Sequence, residues 1–283
     1  MKSEEYNNYK ETFRNALNPK RRENIFEIAE NELKPQVGRF PKSFFRYREI
    51  NKYTDQEILN GIVHLSSPDK FDDIFDSKCY IDEDGLGDIV MTNYMNSKAI
   101  AKNIPGMQDV VVGHEKYFES VNKKIDNLLR IACFTQKNDN IPMWYYYANK
   151  HKGICIEYDI RTQNTYSELG YIFLPVIYPN KNESNNYYTG EFVDATFSIS
   201  AVRNSLVKGN DWKFEKEWRI IKIQEEPDND LNITLPVKGV YFGCDISPKD
   251  KNDLIELVKP MEQDVPLYEM KQSVTGLKAF KIK

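Results

Sequence analysis

Apolar residues recur at helical spacing over the first 33 residues of the chain. Tyr9, Phe13 and Leu17 lie four residues apart, which places them on one face of a helix. The spacing returns at Ile25, Phe26, Ala29 and Leu33. Asn18 and Pro19 separate the two runs, and proline ends helices because it lacks a backbone donor. The pattern predicts two helices that form an N-terminal extension over residues 1–40.

Beyond this extension, short alternating or apolar runs predict strands that are mixed with helices. Strands are predicted over 44–48, 62–67, 131–135, 154–159, 174–178, 215–223, 239–243 and 266–270. Helices are predicted over 54–59, 143–148, 192–207 and 248–258. A further helical region is predicted to end at about residue 130. Strands and helices do not alternate regularly, so the order favours an α+β fold over a doubly wound sheet. We expect residues 41–283 to form a single α+β domain.

The segment from Trp212 to Ile223 is predicted to be a turn that leads into a buried strand. Side chains alternate along a strand, so Glu215, Glu217 and Arg219 share one face. An alternative is a solvated edge on which Arg219 and Lys216 neutralise the two glutamates. Trp212 and other aromatic residues nearby indicate a partly dry environment instead. A buried carboxylate must be paired, protonated or used in chemistry.

The balance of charge and the aromatic content limit the classes of partner. Lys and Arg number 39 against 43 Asp and Glu, so the formal net charge is −4. This balance argues against binding of nucleic acid through the overall charge of the protein, although a local basic groove remains an alternative. The chain has 18 Tyr, 15 Phe and 3 Trp, which suits either a thick core or a stacking site.

The cysteines and the lack of long apolar runs indicate the cellular setting. Cys79, Cys133, Cys155 and Cys244 lie far apart, so neither a zinc ribbon nor a disulfide framework is implied. No run approaches the length of a membrane span, and the first residues lack the apolar core of a signal peptide. We expect a cytoplasmic protein with reduced thiols and no membrane partner.

Several common chemistries have no motif in this sequence. The three histidines form no HExxH pattern, and neither a Gly-x-Ser-x-Gly elbow nor a phosphate-binding loop occurs. A divalent-metal nuclease is a weaker alternative, because Asp69 and the run Asp76-Ser77-Lys78 loosely fit an Asp and Asp-x-Lys pattern.

A different chemistry joins an arginine on the first strand, a hydroxyl on a middle strand and the Glu-x-Glu motif. An arginine binds a pyrophosphate well, and a carboxylate stabilises oxocarbenium charge on a ribose. This combination suits cleavage of the N-glycosidic bond of a dinucleotide. It is the Arg-Ser-Glu arrangement of the ADP-ribosyltransferases.

Several sequence blocks together resemble a bacterial family, the domain of unknown function 2971. The blocks are 45–48, 65–76, 133–135, 143–155 and 212–219. They cover most of the chain from Phe44 to about Ser247. The loop at 71–76 departs from the family's usual Phe-Asn-Asp-Pro-Phe-Asp, since Asp72 and Ile74 replace the Asn and the Pro.

The order of the strands further resembles an ADP-ribosyltransferase-like mixed β core with flanking helices. That resemblance implies that Arg48, with Arg46 in reserve, is the arginine and that Thr135 replaces the usual serine. It also makes Glu217 catalytic and Glu215 acceptor-directing. The residues expected to contact NAD are Arg46, Tyr47, Ser66, Tyr147 and His151.

Each of these residues also has an ordinary structural interpretation. In that interpretation, Arg48 pairs with an acid of the loop at 72–76, and Thr135 is an ordinary strand residue of good β-propensity. Tyr47 and Tyr147 suit core packing, and His151 suits the end of a helix, where a cation is favoured.

The resemblance implies a defence or toxin-type effector that cleaves NAD or transfers its ADP-ribose. NAD is then a substrate, and no metal is expected. The acceptor is left open among protein, nucleic acid and water, as is a homo-oligomer or a regulatory partner. The alternative class is a non-enzymatic module that binds a nucleotide or a partner chain in the same cleft.

Overall fold

The structure is a computed structural model that describes residues 3–37, 40–79, 107–160, 164–183, 187, 196–224, 231–260 and 265–282. The α-helices in these ranges are α1 (Ser3–Ala16), α2 (Ile25–Ile28), α3 (Thr54–Asn60), α4 (Met107–Leu128), α5 (Ile141–Tyr147), α6 (Tyr166–Leu169), α7 (Phe197–Ser205) and α8 (Pro248–Val258). The strands are β1 (Phe44–Arg48), β2 (Ile62–Leu65), β3 (Leu129–Thr135), β4 (Ile154–Tyr158), β5 (Ile172–Pro175), β6 (Glu217–Ile223), β7 (Leu231–Thr234), β8 (Val237–Phe242), β9 (Leu267–Ser273) and β10 (Gly276–Lys281).

Local signals in the sequence explain where several helices begin and end. The Asn140 side chain accepts a hydrogen bond from the Met143 amide at the start of α5, and Ser247 caps α8 in the same way. Gly61 ends α3 in the left-handed conformation, with φ of 63°. These helix boundaries agree with the sequence-based predictions.

Most strands join one large sheet in the order β10-β9-β8-β4-β1-β3-β6-β5. Its neighbours are antiparallel except β8 and β9, which are parallel. Strands β2 and β7 form a separate two-stranded sheet. The α+β prediction is therefore confirmed.

Two predictions about the strands were wrong in detail. The strand expected at 174–178 is β5 and ends at Pro175, because proline cannot donate to the ladder. The segment from Trp212 is not extended throughout, since residues Asn210–Glu215 form a 3-10 helix. Lys216 then adopts the left-handed conformation, with φ of 48°, and β6 begins only at Glu217.

Strands β7 and β10 were not predicted. The side chains of β10 are mostly exposed, and this strand lies at the edge of the large sheet. Strand β7 alternates between partly buried and exposed positions. Neither strand shows the apolar run of a buried strand, so the sequence pattern gives a weak signal.

One face of the large sheet buries the main core together with the N-terminal helices. Phe44, Phe173 and Trp218 lie with ring centroids 4.8–5.2 Å apart. Phe13 is fully buried in this core, and the Tyr9 hydroxyl donates to the Pro175 carbonyl at 3.1 Å. The predicted domain boundary near residue 40 stays a prediction.

A smaller apolar cluster lies on the other face of the sheet, where α5 packs against β1. Trp144 is fully buried, and its ring meets Tyr47 edge to face at 5.0 Å. None of the helices within the described ranges combines the length and the apolar character that a membrane crossing requires.

Candidate functional site

A cleft opens where β1 and β3 separate within the large sheet. These strands pair at Phe45 and Thr135, the single pair in their register. Beyond it, the chain that follows β2 lies beside β3 instead. Ser66 exchanges two backbone hydrogen bonds with Ile131, at 2.9 and 2.8 Å. The gap between the two strands forms a cleft of about 240 Å³.

The first wall of the cleft carries two arginines from β1. Arg46 and Arg48 contact the same carboxylate, Glu57 of α3, at 3.4 and 3.1 Å. Glu57 also accepts a hydrogen bond from the Tyr158 hydroxyl at 3.0 Å, and it is 5% exposed. Glu57 therefore holds both guanidinium groups at the cleft.

Arg48 is the more accessible of the two arginines. Its side chain is 34% exposed, against 11% for Arg46. It donates through Nε to Glu57, and among the described residues its terminal Nη groups have no hydrogen-bond partner. These groups are available to an anionic ligand, and a guanidinium binds phosphate in a bidentate manner.

The opposite wall begins with Glu217 at the start of β6. Arg219 donates to its two oxygens at 2.8 and 3.1 Å, and Lys208 lies 3.3 Å away. Burial alone would raise the pKa of Glu217, but Arg219 and Lys208 hold it well below its usual range. Glu217 is therefore ionised at neutral pH.

Glu215 behaves differently although it lies only two residues away. Its oxygens accept hydrogen bonds from the Tyr147 hydroxyl at 2.6 Å and from Lys208 at 2.7 Å. Burial and the neighbouring charge of Glu217 raise the pKa of Glu215 to about 7. The cleft therefore holds one fixed carboxylate and one carboxyl that titrates near neutral pH.

Arg219 ties this wall to the loop at 71–76. It is fully buried and donates to both oxygens of Asp76, at 2.6 and 2.5 Å. Lys208 also lies 3.5 Å from Asp76. The loop that lines the mouth of the cleft is therefore anchored to the glutamate wall.

Thr135 lies between the arginine wall and the glutamate wall. It is paired with Phe45 on one side and with Glu217 on the other. Its hydroxyl donates to the backbone carbonyl of Glu215 at 2.5 Å. The hydroxyl therefore fixes the turn that positions both glutamates.

Residues 143–220 match the model of a family described as protein of unknown function (DUF2971). This segment is similar to that family. No match to the chain was found among the curated proteins or among the solved structures. The DUF2971 segment contains most of α5, Lys208 and both glutamates, whereas Arg46 and Arg48 lie before it. The resemblance is confirmed for 143–220, and the blocks outside it stay a prediction.

The structure brings eight of the nine predicted site residues to this cleft. They are Arg46, Tyr47, Arg48, Ser66, Thr135, Tyr147, Glu215 and Glu217. His151 does not line the cleft, because its ring stacks on Trp144 at 6.4 Å. The turn at residues 149–151 is left-handed throughout, with φ of 46°, 53° and 67°.

The ordinary interpretations of the glutamates and of Arg48 are wrong, whereas Tyr47 packs in the smaller apolar cluster as its ordinary interpretation expects. The glutamates do not lie on a solvated face, since Glu215 and Glu217 are 3% and 5% exposed. Lys216 is exposed, and Lys208 neutralises them instead. Arg48 does not pair with an acid of the loop at 72–76, since its partner is Glu57.

The residues of the weaker nuclease alternative have different surroundings and partners. Asp69 is exposed, whereas Asp76 is buried against Arg219. Lys78 pairs with Asp126 at 2.6 Å. Among the described residues, no group of three His, Cys, Asp or Glu side chains is placed to hold a metal ion.

Two important residues were missed by the sequence analysis, Lys208 and Glu57. Lys208 stands after the apolar pair Leu206 and Val207, just before the break at Gly209. A lone lysine at the end of an apolar helix is a weak signal of a buried cation. Glu57 gives no signal, because it lies on α3 and its partners come from β1 and β4.

Proposed function

We propose that the protein cleaves the N-glycosidic bond of NAD and transfers ADP-ribose to an acceptor or to water. The observation that supports this proposal is the meeting of Arg48, Thr135 and Glu217 in one cleft. The proposal includes an ADP-ribosyltransferase-like fold, in which the single contact between β1 and β3 opens the substrate cleft.

The chemistry assigns each wall of the cleft a separate task. Arg48 binds the pyrophosphate through its free Nη groups, with Arg46 beside it. The bond between the nicotinamide nitrogen and ribose C1′ breaks, and its electron pair leaves with neutral nicotinamide. Positive charge then develops on the ribose, and the ionised Glu217 stabilises it electrostatically.

Glu215 is suited to the proton transfer that completes the reaction. The acceptor attacks C1′ and must lose a proton, which an ionised Glu215 takes as a general base. A base with a pKa of about 7 is matched to neutral pH. The activity should therefore rise as the pH increases through about 7.

The size of the cleft indicates which part of NAD it holds. Ligand pockets usually measure about 300–1,000 Å³, and this cleft is smaller, at about 240 Å³. The nicotinamide and its ribose therefore fill the cleft beside Tyr147, and the adenosine half lies outside it, beyond Arg48.

Release of nicotinamide from NAD tests the proposal directly. Wild type should release nicotinamide, and Glu217→Gln should lose at least about 100-fold in rate, as expected for a transition-state electrostatic contact. Glu49→Gln is the matched control, since Glu49 is exposed and follows β1. Parallel assays with cell lysate show whether an acceptor is required.

A second variant keeps the test interpretable if Glu217→Gln fails to fold. Arg48→Ala removes a partly exposed side chain, so its fold should be retained. Its KM for NAD should rise at least about tenfold, because charge-assisted bonds contribute about 1.5–3 kcal/mol. Full nicotinamide release by both variants would refute the NAD proposal.

One observation favours the non-enzymatic alternative. Both oxygens of Glu217 are already engaged by Arg219 and Lys208, as in a structural ion pair. A binding module would be stabilised by NAD or another nucleotide without releasing nicotinamide. The effector role stays a prediction from the resemblance, and the cytoplasmic location stays a prediction from the cysteines and the lack of long apolar runs.

A further inference from the structure

A row of aromatic side chains leads outward from the cleft. This aromatic strip consists of Trp212, Phe214, Tyr146 and Tyr145, with successive ring centroids 6.0, 6.4 and 5.4 Å apart. Trp212 lines the cleft, whereas Tyr146 and Tyr145 are 63% and 49% exposed. Large aromatic rings normally bury most of their surface, so the outer end of the strip is available to a partner.

The strip is held rigidly although it spans two elements. Tyr145 and Tyr146 project from the outer side of α5, whose inner residue Trp144 is fully buried. The Asn140 side chain donates to the Phe214 carbonyl at 2.5 Å, which joins the start of α5 to the 3-10 helix. A rigid platform loses little conformational entropy when a ligand binds.

Basic residues accompany the strip. Lys213 and Lys216 are exposed and form no ion pair within the described part of the chain. Lys150, three residues after the end of α5, is also exposed, as are two acids, Asp139 just before α5 and Asp211 next to Trp212. These five residues carry a net charge of +1, although the whole chain carries −4.

We propose that the aromatic strip binds single-stranded nucleic acid and directs it toward the cleft. Bases stack on aromatic faces, and the lysines contact the phosphates between them. The rings of the strip are tilted by 33° to 89° against one another, so they do not cover each other's faces. The alternation of Trp212, Lys213 and Phe214 favours this ligand over a protein surface.

A consequence for the acceptor follows and rests on the proposed function. The strip ends at Trp212, and the Lys208 ammonium lies 4.9 Å from the centre of that ring. Lys208 in turn donates to Glu215, the proposed general base. A nucleotide bound at the inner end of the strip is therefore delivered to the group that accepts its proton.

Binding of a labelled oligonucleotide tests the strip without NAD. Fluorescence anisotropy would follow a single-stranded DNA or RNA of about twelve nucleotides, within the usual site size. Tyr146→Ala and Tyr145→Ala should each weaken binding about fivefold or more, the loss of one stacked base. Tyr53→Ala is the matched control, because Tyr53 is 56% exposed and lies beside Lys52 rather than in the strip.

Salt dependence tests the lysines separately. Lys213→Ala should reduce the slope of log affinity against log salt by about 0.7, the value for one phosphate contact on a single strand. Lys249→Ala should leave this slope unchanged, because Lys249 is exposed on α8 and pairs with Asp253.

Two results would refute the proposal that the strip binds single-stranded nucleic acid. One is that the wild-type protein binds no single strand, or binds a duplex or a protein partner more tightly. The other is equal affinity of the Tyr146→Ala and Tyr53→Ala variants. Strip-dependent binding without nicotinamide release would instead support nucleic-acid binding by the strip and refute the proposed NAD chemistry. The failure of one proposal is therefore distinguishable from the failure of the other.

Discussion

Replacing Glu215 with glutamine removes a cleft carboxyl whose pKa lies near neutrality. The pKa is about 7 in the folded protein, against an ordinary value of 4.5. Between these values the folded protein binds the Glu215 proton more tightly than the unfolded chain does. The contribution of Glu215 to the free energy of unfolding therefore falls as the pH rises from about 4.5 to about 7, and the loss is complete above that pH.

The size of this effect follows from the two pKa values. Their difference is worth about 3 kcal/mol, because one pKa unit corresponds to about 1.4 kcal/mol. Glutamine does not titrate. The free energy of unfolding of wild type minus that of Glu215→Gln should therefore fall by about 3 kcal/mol between pH 4.5 and pH 8.

Urea unfolding at a series of pH values measures this difference. Trp144 and Trp218 are buried, so tryptophan fluorescence follows the unfolding. In the control variant Glu49→Gln, the difference from wild type should stay within about 0.5 kcal/mol over the whole range. A curve for Glu215→Gln that is equally flat would show that the pKa of Glu215 is ordinary, and the reasoning about its burial would fail.

Two further substitutions test the surroundings of the cleft. Tyr147→Phe removes a hydrogen bond that lowers the pKa of Glu215, so the pH midpoint of nicotinamide release should move upward, and an unmoved midpoint would contradict the proposed base. Gly153→Ala would place a Cβ 2.2 Å from the Arg48 carbonyl oxygen, so thermal unfolding should show a loss of at least about 1 kcal/mol. Gly209→Ala is its control, since the added Cβ there meets its nearest atom at 3.8 Å, and an equal loss in both would refute the packing argument.

The sequence was sufficient to predict most of the elements and the meeting of the two walls. Arg48, Thr135 and Glu217 each stand at the end or the start of a strand with a clear apolar pattern. The expectation that they lie close together came from the resemblance to the ADP-ribosyltransferases, since strand position alone does not say which strands are neighbours.

The features that could not be predicted from the sequence depend on contacts between distant residues or on backbone geometry. Glu57 binds arginines of another element, and no local pattern encodes that pairing. The left-handed conformation of Lys216 is rare for a non-glycine residue, so a strand that already includes Glu215 was the natural prediction. The left-handed turn that directs His151 onto Trp144 is equally invisible to periodicity.

The charges of the glutamate wall are better explained by function than by stability. Five charged side chains with at most 7% exposure meet there: Asp76, Lys208, Glu215, Glu217 and Arg219. Removing ions from water is costly, and apolar replacements of buried ion pairs are often neutral or stabilising. Stability alone therefore does not account for the cluster. The three acids outnumber the two bases, so ionised Glu215 leaves one negative charge beside the cleft. Under the proposed function, this excess charge stabilises the positive charge that develops on the ribose.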